Sequence, residues 1–217
     1  MRCWRPAGAA VVACALLPCH AHRLDEYLQA ALITLQKDRV QLEISLTPGV
    51  AVLPAVLLAL DADRDGTLSE AEQRAYAQQV MGDLSLSLDG RPEPLQLVSA
   101  VYPSIDEMRE GLGTIRLKLT AMVPSGGPDR KLVFQNRHRT EIAAYLVNCL
   151  VPRDPSLRLN GQHRSYDQSL FRLEYVQSSA SQSSLWFSAA GLLLLVRLAW
   201  HRRALGGRSP QATEPQP

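Results

Sequence analysis

Residues 39–47 read RVQLEISLT, and every second side chain in this stretch is apolar. A period of two puts alternate side chains on opposite faces of an extended chain, so the stretch predicts a β-strand with one buried face. Eight further segments are also short and largely alternating, and by the same reasoning each predicts a strand, which gives about nine strands in all. They are AALITL around residue 32, DLSLSLDG (83–90), PLQLVSAVY (94–102), GTIRLKLTAMV (113–123), KLVFQ (131–135), AAYLVNCLV (143–151), SLRLN (156–160) and LFRLEYV (170–176).

Turn sequences such as Asp89-Gly90 and Gly126-Gly127-Pro128 separate these segments. Short strands joined by tight turns predict a mainly β, antiparallel, sandwich-like domain over 22–177. The same spacing also suits a barrel, so the strand order stays open.

The composition is that of an ordinary folded domain, since 46% of the 217 residues are apolar and 20% are charged. The formal net charge is only +2, and the basic residues are scattered along the chain. Nucleic-acid binding is therefore not expected.

One stretch interrupts the strand pattern. Residues 50–60, VAVLPAVLLAL, are continuously apolar, and residues 69–81, SEAEQRAYAQQVM, are rich in Glu, Ala and Gln. Both predict helices. Pro54 limits the first to a short helix that begins near it. Ser69 and Glu72 have the spacing of a capping box at the start of the second.

The segment between these helices, residues 61–72, reads DADRDGTLSEAE and matches D-x-[DN]-x-[DN]-G-x5-E at every fixed position. This spacing predicts an EF-hand calcium loop within a helix-loop-helix unit at 50–81, because Ca2+ takes six to eight oxygen ligands and a short loop supplies them only by curling around the ion. Gly66 permits the sharp turn. The predicted ligands are the carboxylates of Asp61, Asp63 and Asp65, the carbonyl of Thr67, Ser69 directly or through water, and a bidentate Glu72.

Ca2+ is the expected ion, since Mg2+ demands shorter octahedral bonds and transition metals prefer imidazole or thiolate ligands, which this loop lacks. EF-hands usually pair, but the chain has no second loop of this kind. A homodimeric pairing and a lone structural site are both open.

The two termini predict an exported, membrane-anchored protein. Residues 1–21 have the basic start, apolar centre and small-residue end of a signal peptide cleaved after Ala21, with a lipoprotein signal acylated at Cys19 as the alternative. Residues 185–200, LWFSAAGLLLLVRLAW, predict one short transmembrane helix after a linker at 178–184. The basic residues that follow place the 201–217 tail, expected to be disordered, in the cytoplasm and the domain outside it. Cleavage leaves Cys149 as the one cysteine, and its apolar surroundings predict a buried thiol.

A second metal site is the alternative prediction. The amino group and imidazole of His22, if it is the mature N-terminus, could chelate Ni or Cu ions, with His138 or His163 as further ligands. The polar segments 136–139 and 162–164 that hold these two histidines predict surface loops. No G-x-S-x-G elbow, H-E-x-x-H motif or Cys-His pair occurs, so no enzymatic activity is expected.

Residues 21–176 as a whole resemble a known family. An Ala-His start after the signal, a strand pair, a short helix, the segment LDADRDGTLSEAE (60–72) and a β-rich remainder are similar to the extracytoplasmic N-terminal region of HupE/UreJ-type nickel and cobalt transport proteins. Those relatives continue into several transmembrane helices, whereas one span is predicted here. The resemblance therefore implies a periplasmic, inner-membrane-anchored accessory or sensing partner of a membrane transport system.

Overall fold

The computed structural model describes residues 25–178, which form ten strands and three short helices. The mainly β, sandwich-like prediction is confirmed. The strands are β1 Tyr27–Leu35, β2 Arg39–Pro48, β3 Leu84–Leu88, β4 Arg91–Pro92, β5 Gln96–Val101, β6 Ile115–Met122, β7 Asp129–Asn136, β8 Ala143–Cys149, β9 Leu157–Arg164 and β10 Leu170–Gln177. The helices are α1 Leu53–Leu60, α2 Glu70–Gly82 and α3 Ile105–Arg109. The two-residue β4 and the short α3 were not predicted.

The strands form two five-stranded sheets, in the orders β5-β6-β2-β1-β8 and β4-β3-β7-β10-β9. Each neighbouring pair is antiparallel except β1 and β8, which run parallel, so the antiparallel prediction is wrong for this pair. The reason is the crossover from the second sheet to the first. β7 ends beside the start of β1, and the backbone N–H of Tyr27 donates to the carbonyl of Ile142 over 2.7 Å. β8 must therefore leave that point in the same direction as β1.

The alternation of β2 produces the buried face that its sequence predicts. Val40, Leu42, Ile44 and Leu46 are at most 1% exposed, and they belong to one core cluster shared by both sheets. β5 differs, because nearly all of its side chains are exposed. It is the outer strand of its sheet, so its predicted buried face is largely missing.

The sandwich has two ends of different character. At the exit end, where β10 finishes, the side-chain amide of Gln177 donates to the carbonyl of Lys37 over 2.9 Å, in the turn between β1 and β2. At the opposite, helical end, Asn136 Nδ2 donates to Gln29 Oε1 over 2.8 Å. All three helices join strands at the helical end, because β2 ends there, β3 and β6 begin there, and β5 ends there.

The predicted signal peptide at 1–21, span at 185–200 and tail at 201–217 lie outside the described residues, as does the predicted linker after residue 178. Within residues 25–178, none of the helices combines the length and the hydropathy needed to cross a bilayer.

Candidate metal centre

Two helices frame the predicted loop, as the sequence indicates. α1 begins at Leu53 with Pro54 in its first turn, where the missing N–H of proline costs no helical hydrogen bond. α2 begins after Ser69, whose side chain accepts from the backbone N–H of Glu72 while the Glu72 side chain accepts from the backbone N–H of Ser69. This capping box fixes where the loop ends.

The carboxylates of Asp61, Asp63 and Asp65 converge inside the loop. One oxygen of each lies within 4.8 Å of the other two, and no other group of three or more potential metal-ligating side chains occurs within residues 25–178. Asp61 is only 8% exposed, whereas Asp63 and Asp65 face solvent. The Oδ2 of Asp61 accepts from the backbone N–H of Gly66 over 3.2 Å. Its Oδ1 is buried and has no hydrogen-bond partner.

The backbone of the loop curls through two left-handed residues. Gly66 has φ +84° and Arg64 has φ +61°, a conformation that favours glycine over residues with a Cβ. The aspartates hold this shape through their own hydrogen bonds. The N–H of Asp65 donates to Asp63 Oδ1 over 3.2 Å, and the N–H of Thr67 donates to Asp65 Oδ1 over 2.7 Å.

Glu72 closes the loop from the first turn of α2. Its Oε1 accepts from the backbone N–H of Ala62 over 2.7 Å, and its Oε2 accepts from the hydroxyl of Ser69, also over 2.7 Å. The Ser69 hydroxyl, followed by the backbone donors, lowers the pKa of the Glu72 carboxyl. Glu72 is therefore held as an anion beside the start of the loop. Ionised carboxylate oxygens have more acceptor positions than these bonds use.

The converging aspartates repel one another without a counter-charge. Two unit charges 4.8 Å apart repel by about 0.9 kcal/mol at the dielectric constant of bulk water, and by more where burial lowers it, as at Asp61. A divalent cation among them would replace repulsion by attraction. It would also give the buried Oδ1 of Asp61 the partner that it lacks, because hard oxygen donors are the ligands that Ca2+ takes.

A scan against models of known protein families, and searches of curated proteins and of solved structures, found no match to this chain. The chemistry of the loop is therefore argued from its own atoms.

His138, one of the three histidines of the predicted second metal site, lies in the core. It is 0% exposed, so the predicted surface loop at 136–139 is wrong at this position. Its Nδ1 is 2.8 Å from Asp83 Oδ2 and its Nε2 is 3.2 Å from the Tyr76 hydroxyl. Both ring nitrogens thus have partners within the fold. Burial lowers the pKa of His138, although the Asp83 carboxylate opposes this effect.

His163, the second of these histidines, is not part of the aspartate cluster. His163 is exposed on β9, so its segment is part of an edge strand and not the predicted loop. His22 lies outside the described residues, and its role as a metal ligand stays a prediction.

A buried polar network next to the loop was not predicted from the sequence. The hydroxyl of Tyr76 in α2 lies 2.7 Å from the hydroxyl of Tyr27 in β1 and also contacts His138, which is in turn paired with Asp83. Burial raises the pKa of Tyr76 to about 12, so it is a neutral phenol at physiological pH. The network ties α2 to β1 and to the segment between β7 and β8, one helical turn beyond Glu72.

Cys149 agrees with the prediction of a buried thiol. It is 8% exposed on the inner face of β8. Burial raises the pKa of its thiol to about 11. Cys149 therefore has little thiolate at neutral pH and is poorly suited to metal binding or nucleophilic attack.

Proposed function

We propose that this protein is a calcium-binding, membrane-anchored extracytoplasmic binding module, without enzymatic activity, that serves as an accessory or sensing partner of a membrane transport system. One EF-hand-like loop at 61–72 binds the ion. Two observations carry the proposal: one carboxylate oxygen each of Asp61, Asp63 and Asp65 lie within 4.8 Å of one another, and the Oδ1 of Asp61 is buried without a hydrogen-bond partner.

The carboxylates set the choice of ion. The cluster offers oxygen donors alone, and the nearby Thr67 carbonyl, Ser69 and Glu72 add more of the same kind. Such a set favours Ca2+ over transition metals, which prefer imidazole or thiolate. Glu72 already spans the loop from the first turn of α2 to Ala62, so a cation would be enclosed from both sides.

The network around Tyr76 supports a structural role for the ion. It fixes α2 on the sandwich independently of the loop, so calcium would order the loop on a helix that is already in place. Exported proteins meet abundant Ca2+, and a weak site suffices there.

The position of the loop in the domain indicates where a partner could bind. The loop belongs to the helical end, whereas the chain leaves the described domain at the exit end, towards the predicted span. The calcium loop would then point away from the membrane. Exposed apolar side chains at this end, Leu58 on α1 and Leu112 after α3, suit contact with the extracytoplasmic part of a partner or with a second copy of the chain. The resemblance to HupE/UreJ-type proteins supports a transport-linked partner.

The experiment is calorimetric titration of Ca2+ into the detergent-solubilised full chain, with Mg2+ and Ni2+ as comparators. We expect Ca2+ binding that is lost in the Asp61→Asn and Glu72→Gln variants, because the loop motif allows only Asp and Glu at these two positions. Asp106→Asn is the matched control, because Asp106 is an exposed carboxylate in the first turn of another short helix. If the first two variants bind Ca2+ as the wild type does, the loop is not the site. If Ni2+ binds and Ca2+ does not, the histidine-based alternative replaces this proposal.

A further inference from the structure

The exit end of the sandwich carries an exposed apolar surface, which we call the tip surface. It consists of Met122 at the end of β6 and of Leu150 and Val151 directly after β8, which are 60%, 48% and 81% exposed. Leu150 is held against the sheet, since its N–H donates to the carbonyl of Ile33 over 2.9 Å. The apolar side chains are therefore presented from a fixed backbone.

The chain leaves the domain beside this surface. The backbone N–H of Ser178 donates to the carbonyl of Ser156 over 2.8 Å, in the loop that follows Val151. Gln177 is tied by its side chain to Lys37, in the neighbouring turn. The last described residue is thus fastened at the same end as the tip surface.

The sequence limits how far this end can stand from the predicted span. Residues 178 and 185 are seven Cα steps apart, which a fully extended chain covers in at most about 25 Å. The helical end is farther away by the length of β10, which has eight residues and so measures about 26 Å. Of the two ends, the exit end is the one that the predicted anchor brings to the bilayer.

The charges nearest the tip surface nearly cancel, since Lys37, Arg39 and the exposed Arg153 are positive and Asp38 and Asp154 are negative. Asp38 pairs with Arg39 over 2.9 Å, and Lys37 lies close enough to contribute to the lowered pKa of Asp154, which Ser156 mainly causes. A lipid contact here would depend on the apolar side chains rather than on attraction to anionic headgroups.

We propose that the tip surface, with Met122, Leu150 and Val151, rests on the outer lipid surface of the membrane that holds this chain and so keeps the calcium loop turned away from the bilayer. This inference depends on the proposed membrane anchor. It adds the orientation of the domain and names the lipid bilayer as the partner of this surface.

The test uses the full chain in phosphatidylcholine nanodiscs, with an environment-sensitive fluorophore on a single cysteine and the natural cysteines replaced by alanine. Val151→Cys carries the label on the tip surface. Leu112→Cys is the matched control at the helical end, because Leu112 is a comparably exposed apolar loop residue, at 76%. Quencher lipids with a nitroxide near the headgroup report contact with the bilayer, and flotation of both variants with liposomes after an alkaline wash reports the anchor separately.

We expect a blue shift and loss of emission with quencher lipid at position 151, and neither change at position 112, with the same result when part of the phosphatidylcholine is replaced by an anionic lipid. Equal behaviour at both positions in chains that float would overturn the lipid contact and leave the anchor intact. A blue shift at 151 without lipid quenching would mean that protein covers the tip surface, which also overturns the proposal. Failure of both variants to float would refute the anchor, and the orientation with it.

Discussion

Asp61→Asn should change stability in opposite directions with and without calcium. In the metal-free protein the substitution removes two of the three repulsions among the carboxylates of Asp61, Asp63 and Asp65, which amount to about 2 kcal/mol at water-like screening. The amide oxygen of asparagine can still accept from the N–H of Gly66, as Asp61 Oδ2 does now over 3.2 Å. The metal-free variant should therefore be at least as stable as the wild type, with a gain of about 2 kcal/mol at water-like screening.

With calcium present the order should reverse. A ligand at about 100 times its dissociation constant stabilises the folded state by about 2.7 kcal/mol. For a chain of this size that corresponds to a rise in Tm of roughly 5–11 °C. The wild type should show this rise, and Asp61→Asn should show little of it, because the neutral amide gives the ion less attraction at its most buried ligand position.

The assay is thermal unfolding of the full chain, followed by circular dichroism in EDTA and across a calcium titration. Asp106→Asn is the control and should shift with calcium as the wild type does, since Asp106 is exposed on α3 and pairs with Arg109. A marked loss of stability for Asp61→Asn in EDTA would show that the carboxylate is needed as a structural acceptor. An undiminished calcium shift in this variant would show that the ion does not use Asp61.

Three further outcomes follow from the structure. Gly66→Ala should cost about 1–2 kcal/mol in EDTA, because only its φ of +84° opposes a Cβ that meets nothing within 4 Å, and calorimetry should show weakened calcium binding. Because burial lowers the pKa of His138 in the folded state, the folded protein favours the neutral histidine. The contribution of His138 to the free energy of unfolding should therefore be complete above about pH 6.5 and should decrease as the pH drops below it. Urea unfolding across this pH range measures the decrease, and His138→Gln should remove it. Cys149, with its thiol pKa raised to about 11, should react with a thiol reagent in the folded protein far more slowly than in urea, and equal rates would contradict its burial.

Local patterns predicted the strands and the loop because their causes are local. The alternation of apolar residues predicted β2, in which every second side chain from Val40 to Leu46 is buried. The Ser69 and Glu72 spacing placed the start of α2, and the same capping box recurs at Ser104 and Glu107 before α3. This second box was readable in the sequence, but a five-residue helix has no apolar period to draw attention to it.

Other features depend on contacts between distant parts of the chain. The parallel pairing of β1 with β8 joins Tyr27 to Ala143, and nothing in either strand specifies that partner or direction. His138 lies in a polar, basic segment that predicts a surface loop. It is nevertheless buried, because Asp83 and Tyr76 satisfy both of its ring nitrogens, and a buried polar group is tolerated when it is hydrogen-bonded. Its partners come from distant segments, so its own neighbours in sequence could not reveal its burial.

The buried network also limits how a cation could act on the rest of the protein. Glu72 and Tyr76 lie one turn apart on α2, and the Tyr76 hydroxyl is bonded to Tyr27, which is 0% exposed. Moving α2 to bring Glu72 onto an ion would separate buried polar partners, and each group left unpaired costs about 1–3 kcal/mol. The free energy available from a weak calcium site is of similar size, so the helix should stay in place. The adjustment then falls on the loop itself, where Asp63 and Asp65 are exposed and are held by hydrogen bonds within the loop. For this reason we infer that calcium orders the loop at the helical end without repacking the sandwich, which is the behaviour of a structural calcium site and not of a calcium-driven conformational switch.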